Sequence, residues 1–157
     1  AAAEAAFAFA KAAAAAQFRS GAYADAAAGF ARLIAQCRGS GSYVKYDALT
    51  EAFTSLALPG LLSNRAMCYI EAGQLDKCVE DCEGALAALE ALGGAARQAP
   101  KGLAFKVALR RAEARRRLGQ LSQVKAESEA LSAMAATEEE RMAAEHLALQ
   151  CAVISVD

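Results

Sequence analysis

The chain contains no tryptophan, one histidine (His146) and two prolines (Pro59 and Pro100). Aromatics make up only 6% of its 157 residues, so few bulky side chains are available to fill wide gaps. A core built from such a sequence has to come from helices that approach each other closely. β-branched residues are sparse, which argues against sheets. The two prolines leave long stretches open to helix, with interruptions expected at Pro59 and Pro100. Net charge is −1, so no global field favours nucleic acid or anionic lipid. No apolar run reaches the roughly 18 uncharged residues that a membrane span needs. The opening AAAEAAFAFAKAAAAAQF lacks the apolar core and flanking charge of a signal peptide. There is no initiator Met, and the chain is read as a piece of a longer protein. GSGS at 39–42 has no following Lys-Ser/Thr and cannot be read as a phosphate cradle. With one histidine and no nucleophile beside a base, no enzyme chemistry, no catalytic residue and no cofactor is expected.

Alanine dominates what is there; it has high helix propensity and little volume. The five cysteines, Cys37, Cys68, Cys78, Cys82 and Cys151, are odd in number and not spaced as a disulfide scaffold, which points to a reducing, cytoplasmic setting. Cys78 and Cys82 are four apart with Cys68 nearby, but a metal site needs three or four placed ligands. They read as small core residues, and no metal is expected. Charge is unevenly spread: KGLAFKVALRRAEARRRLG (101–119) has Glu113 as its one acid, and ATEEERMAAE (136–145) is acidic. The Arg115-Arg116-Arg117 run lacks the interleaved aromatics that stack bases, so it reads as a solvated face or a contact for an acidic protein, and nucleic acid is not an expected partner.

Self-comparison gives the organising signal. FRSGAYADAAAGFARLI (18–34), YIEAGQLDKCVEDCEGAL (69–86) and RRLGQLSQVKAESEAL (116–131) align on Gly21, Gly73 and Gly119. Each glycine follows a segment of helical period (5–19, 61–72, 104–118) and precedes another (24–37, 76–92, 122–134). Glycine suits the turn, where positive φ is cheap without a Cβ. Ala14, Ala66 and Ala112, seven before the glycines, and Ala26, Cys78 and Val124, five after them, are the expected crossing points of the paired helices. Phe30, Cys82 and Ser128 follow on the same face, toward the next pair.

This pattern resembles the tetratricopeptide repeat (TPR), whose period is about 34 residues. Asn64-Arg65-Ala66-Met67-Cys68-Tyr69, then Asp81-Cys82 and Ala85-Leu86, is the closest stretch. The resemblance implies an all-α fold of three helix–turn–helix repeats stacked as a right-handed α-solenoid with a C-terminal capping helix. It divides a single TPR domain (1–157) into repeat one at about 5–38, an inserted loop and helix at 39–60, repeat two at 61–92, an insertion at 93–102, repeat three at 103–134 and a capping helix at 137–154. Thr137 is its expected N-cap, with Glu140 three residues on.

In TPR arrays the first helices line a concave groove. Here they carry Lys11, Ala15 and Arg19; Asn64, Met67 and Glu71; and Lys106, Arg110, Glu113 and Arg117. The set is similar to the carboxylate clamp of co-chaperone TPR domains, which holds the acidic C-terminal Glu-Glu-Val-Asp tail of cytosolic heat-shock chaperones. The resemblance carries the peptide-carboxylate role to Lys11, Asn64, Lys106 and Arg110. It departs at Ala15, where the family has Asn, at a cost on the order of 1–3 kcal/mol for one lost hydrogen bond. Arg19, one turn on, is the candidate replacement, and Phe18, Met67 and Arg117 are candidate groove contacts. The extended connection ending in Lys106-x-x-x-Arg110-Arg111 resembles the axonemal dynein assembly factors, which implies client or assembly-factor partners and a role in cilium dynein-arm preassembly. Immunophilin co-chaperones also carry an insertion between their first two repeats. The competing reading is a scaffolding TPR domain that binds an internal peptide or helix and needs no free carboxylate.

The cysteine reading has a direct check: a chelator should leave the melting temperature unchanged, and a drop of several degrees would overturn it.

Overall fold

The computed structural model describes residues 2–39 and 49–156. Among these the chain is all-helical: α1 (Ala2–Arg19), α2 (Tyr23–Cys37), α3 (Glu51–Glu71), α4 (Leu75–Ala91), a short 3-10 helix (Gly93–Gln98), α5 (Leu103–Arg117), α6 (Leu121–Met134) and α7 (Glu138–Val156). The 3-10 helix is one element more than the helical periodicity announced. Residues 40–48, which include most of GSGS and the start of the expected first insertion, lie outside the described residues. None of the described helices is long and apolar enough to cross a membrane.

The three aligned glycines make three copies of one turn. Gly21, Gly73 and Gly119 have φ of 87°, 77° and 82°. In each copy the glycine N–H donates three residues back, to Phe18, Ile70 or Arg116. The next N–H donates five back, Ala22 to Gln17 (2.9 Å), Gln74 to Tyr69 (2.8 Å) and Gln120 to Arg115 (2.9 Å). This double closure satisfies the carbonyls orphaned at a helix C-terminus. The following helix then starts in the same way each time, with Ala26, Cys78 and Val124 donating to Ala22, Gln74 and Gln120.

Each α-helix packs against the next along the chain, and α3, α5 and α7 also touch one another in sequence. The six positions expected at the crossings (Ala14, Ala66, Ala112, Ala26, Cys78, Val124) and the three expected to face the next pair (Phe30, Cys82, Ser128) are all between 0 and 2% exposed. One core runs from Phe7 and Phe30 through Leu61, Leu62 and Ile70 to Val107, and a second gathers Phe105, Ala112, Val124, Leu131, Ala144 and Leu147. α5 therefore faces both cores, which is why it carries buried residues on successive positions.

Two local expectations fare differently. Thr137 caps α7 as expected: its Oγ1 accepts from the Glu140 N–H at 3.1 Å. The Glu140 carboxylate reaches back to the Ala136 N–H at 2.8 Å, one residue earlier than the reciprocal bond of a capping box. The interruption expected at Pro59 is corrected. α3 is capped by Thr50, whose Oγ1 accepts from the Phe53 N–H at 3.1 Å, and runs unbroken from Glu51 through Pro59 to Glu71. The missing N–H at Pro59 costs about 3 kcal/mol in a helix interior, but Pro59, Leu61 and Leu62 are all buried, and that packing outweighs the local penalty.

The alignment also exposes a paired position that periodicity does not reveal. Eight residues before and after the second glycine stand Arg65 and Asp81, joined by two hydrogen bonds of 2.7 Å. The same offsets around the third glycine give Arg111 and Glu127, 3.6 Å apart. Around the first they give Ala13 and Gly29. A Cβ at Gly29 would meet the Ala14 Cβ at 3.0 Å, so here helix contact replaces the polar bridge. Asp81 is 6% exposed. Removing one partner of such a pair strands the other, so Asp81→Ala should lower unfolding stability by about 3–5 kcal/mol, and joint replacement of Arg65 and Asp81 by apolar residues should recover most of it. Urea denaturation of the two variants measures this, and a loss under about 1 kcal/mol for Asp81→Ala would show that the pair carries little.

Candidate functional site

The contacts of α3 with α5 and of α5 with α7 leave a groove along their shared side, with a cavity volume of about 410 Å³. Its floor is apolar: Ile70 from α3, Leu109 from α5 and Leu147 from α7. Lys106, Arg110 and Glu113 of α5 stand along one wall, with Met67 and Glu71 from α3 and His146 and Gln150 from α7 completing the rim.

Of the residues singled out in the sequence, Lys106, Arg110 and Met67 come together here. Lys106 is exposed, one helical turn before Arg110. Arg110 is half-buried and fixed: its Nη1 donates to the Ser63 carbonyl (3.1 Å) and to Ser63 Oγ (3.0 Å), and its Nη2 lies 3.7 Å from Met67 Sδ. A guanidinium held this way has already lost its rotamer freedom before a ligand arrives. Asn64 is half-buried on α3 but does not line this groove, and neither do Lys11 and Arg19, both exposed on α1. The Phe18 ring packs against Tyr23 with centroids 5.2 Å apart. Arg117 lies beside Glu113, its Nε donating to Glu113 Oε1 at 3.1 Å.

The basic run that stood out in the sequence is engaged within the protein. Arg115 donates to Glu127 on α6 and, at 2.6 Å, to Glu83 on α4, tying three helices together. Arg111 shares Glu127. Arg116 holds Glu113 by two bonds of 3.1 and 2.6 Å. Burial alone would raise the Glu113 pKa, but the hydrogen bonds from Arg116 and Arg117 outweigh it and hold the carboxyl below its ordinary value. The solvated basic face expected from the sequence is therefore replaced by internal ion pairs.

The thiols are unpaired. Burial pushes Cys37 and Cys68 up to about 11. Cys82 donates its S–H to Cys78, which raises Cys82 and lowers Cys78. Both sulfurs are fully buried, so this is a packed pair closed to solvent. Among the described residues no three His, Cys, Asp or Glu side chains are placed to hold a metal ion.

Sequence reasoning missed the third wall. The sequence marks α7 as a capping helix, yet Ala143, His146, Leu147 and Gln150 share one helical face, the signal that identifies a lining element. No protein-family model matches the chain, and no curated protein matches it significantly.

The Glu113 cluster has a pH consequence. Its pKa is lowered in the folded state, so its stabilisation is complete above the unfolded carboxyl value of about 4.3 and is lost as pH falls through the lower folded value. Glu113→Gln should flatten that part of the stability curve on the acid side while Glu129→Gln, on exposed α6 surface, should not. Urea midpoints measured between pH 6 and 3 (roughly spanning the transition) provide the comparison.

Proposed function

We propose that the chain is a peptide-binding module of the TPR type, a protein-interaction domain without enzyme activity, working in the cytoplasm as part of a co-chaperone or assembly factor. Three copies of one glycine turn and nine congruent buried positions support the repeat reading. The ligand is the C-terminal peptide of a partner. The observation that carries this is the fixed Arg110 with Lys106 one turn away, both above an apolar floor. A terminal carboxylate is captured best by donors already held in place, through charge-assisted hydrogen bonds. The acidic tail of a cytosolic heat-shock chaperone is the partner that the TPR resemblance supplies, with clients in dynein-arm preassembly as the finer assignment.

A second reading is a scaffold for an internal peptide or helix. It draws support from the lining of the cavity, which includes Lys106 and Arg110 but not Lys11 or Asn64.

The two readings part on one chemical group. A peptide with a free C-terminus should bind at roughly micromolar Kd, more weakly as salt rises, and its C-terminal amide should bind far less. Lys106→Ala should weaken the free peptide about tenfold, the order of one charged hydrogen bond. Equal binding of acid and amide by calorimetry would reject the carboxylate reading in favour of the scaffold.

A further inference from the structure

We infer that the groove prefers a partner whose last residue is large and apolar (leucine, methionine or phenylalanine) over one ending in aspartate. This rests on the carboxylate-binding reading above and departs from the partner that the family resemblance supplies.

Three features converge. The first is the number of cations. A terminal aspartate brings two carboxylates, but of the four clamp positions only Lys106 and Arg110 line the groove. Arg110 already donates through Nη1 to both oxygens of Ser63, which reduces the donors it has left for ligand. This is provision for one carboxylate.

The second is the acid on the rim. Glu71 is exposed at the groove edge one turn beyond Met67. Glu113 also lines the groove, about 10 Å along α5 from Lys106 by helical rise, but its oxygens accept from Arg116 and Arg117 and are largely neutralised. Glu71 is therefore the group that opposes a second carboxylate, and like charges disfavour one another across a shared site.

The third is the floor. Ile70, Leu109 and Leu147 present apolar surface directly beside the two cations, and Ala143 leaves room above them in a cavity of about 410 Å³. An aspartate side chain placed there would lose water without gaining partners, whereas a leucine would bury apolar surface. The carboxylate sits on Lys106 and Arg110, and the terminal side chain drops between α5 and α7.

The test uses the whole chain and four peptides of one sequence, ending in Leu or Asp, each as free acid and as amide, compared by calorimetry. The Leu acid should bind roughly tenfold more tightly than the Asp acid, the size of effect expected for burying one such side chain, and the Leu amide should bind far less than the Leu acid. Ala143→Phe, which fills the room above the floor, should remove the preference. Glu71→Gln, at an exposed position, should narrow the gap by strengthening the Asp acid severalfold. If the Asp acid binds as tightly as the Leu acid or more so, and both exceed their amides, the apolar preference is overturned while carboxylate capture stands. If acids and amides bind alike, or none binds, carboxylate capture itself fails and takes this inference with it.

Discussion

The architecture depends on how closely paired helices approach. Small residues stand on both helices of each pair, Ala14, Ala66 and Ala112 on the first and Ala26, Cys78 and Val124 on the second, and every one of these side chains is sealed from water. With so few aromatics to span a wider gap, any larger residue at these points would have to push the helices apart. Close approach then fixes the rest. It calls for the short glycine turn, it sets the direction in which each first helix presents its outer face, and it lines up α3, α5 and α7 along a common side.

The groove inherits its chemistry from that alignment. Ser63 of α3 lies opposite Arg110 of α5 because the two helices are held in register by the crossings on either side. Arg110 thus serves two purposes: it bridges neighbouring helices and it keeps a cation at the groove wall. The remaining arginines of α5 illustrate the alternative. Arg111, Arg115, Arg116 and Arg117 find carboxylates on their own or adjacent helices, and a run that looks like a surface charge patch becomes internal bracing.

What could be read from the sequence was local or periodic. The positive-φ glycines, the small residues at the crossings and the Thr137 cap follow from backbone sterics and helical spacing, and each is where the pattern put it. What escaped reading depends on partners distant in the chain. The continuity of α3 through Pro59 is decided by burial against other helices, not by the proline itself. The carboxylates that engage the basic run, Glu83 and Glu127, lie 32 and 12 residues from Arg115. The site shows the same division. Spacing on α5 placed Lys106 and Arg110 together, but whether Lys11 and Asn64 join them depends on how helices from different pairs are set, and a periodicity holds no record of that.

The substitution of Ala13 and Gly29 for an ion pair has a consequence for how the molecule comes apart. The second and third helix pairs are pinned by arginine–carboxylate bridges that must be broken and rehydrated before their helices separate, whereas at the matching offsets of the first pair Gly29 lets α2 close directly onto Ala14 of α1. Free energies of local opening follow the contacts that each element must give up. The two bridges thus tie α3 to α4 and α5 to α6, so the α3 and α5 walls of the groove belong to helices that must give up an ion pair before they part from their partners.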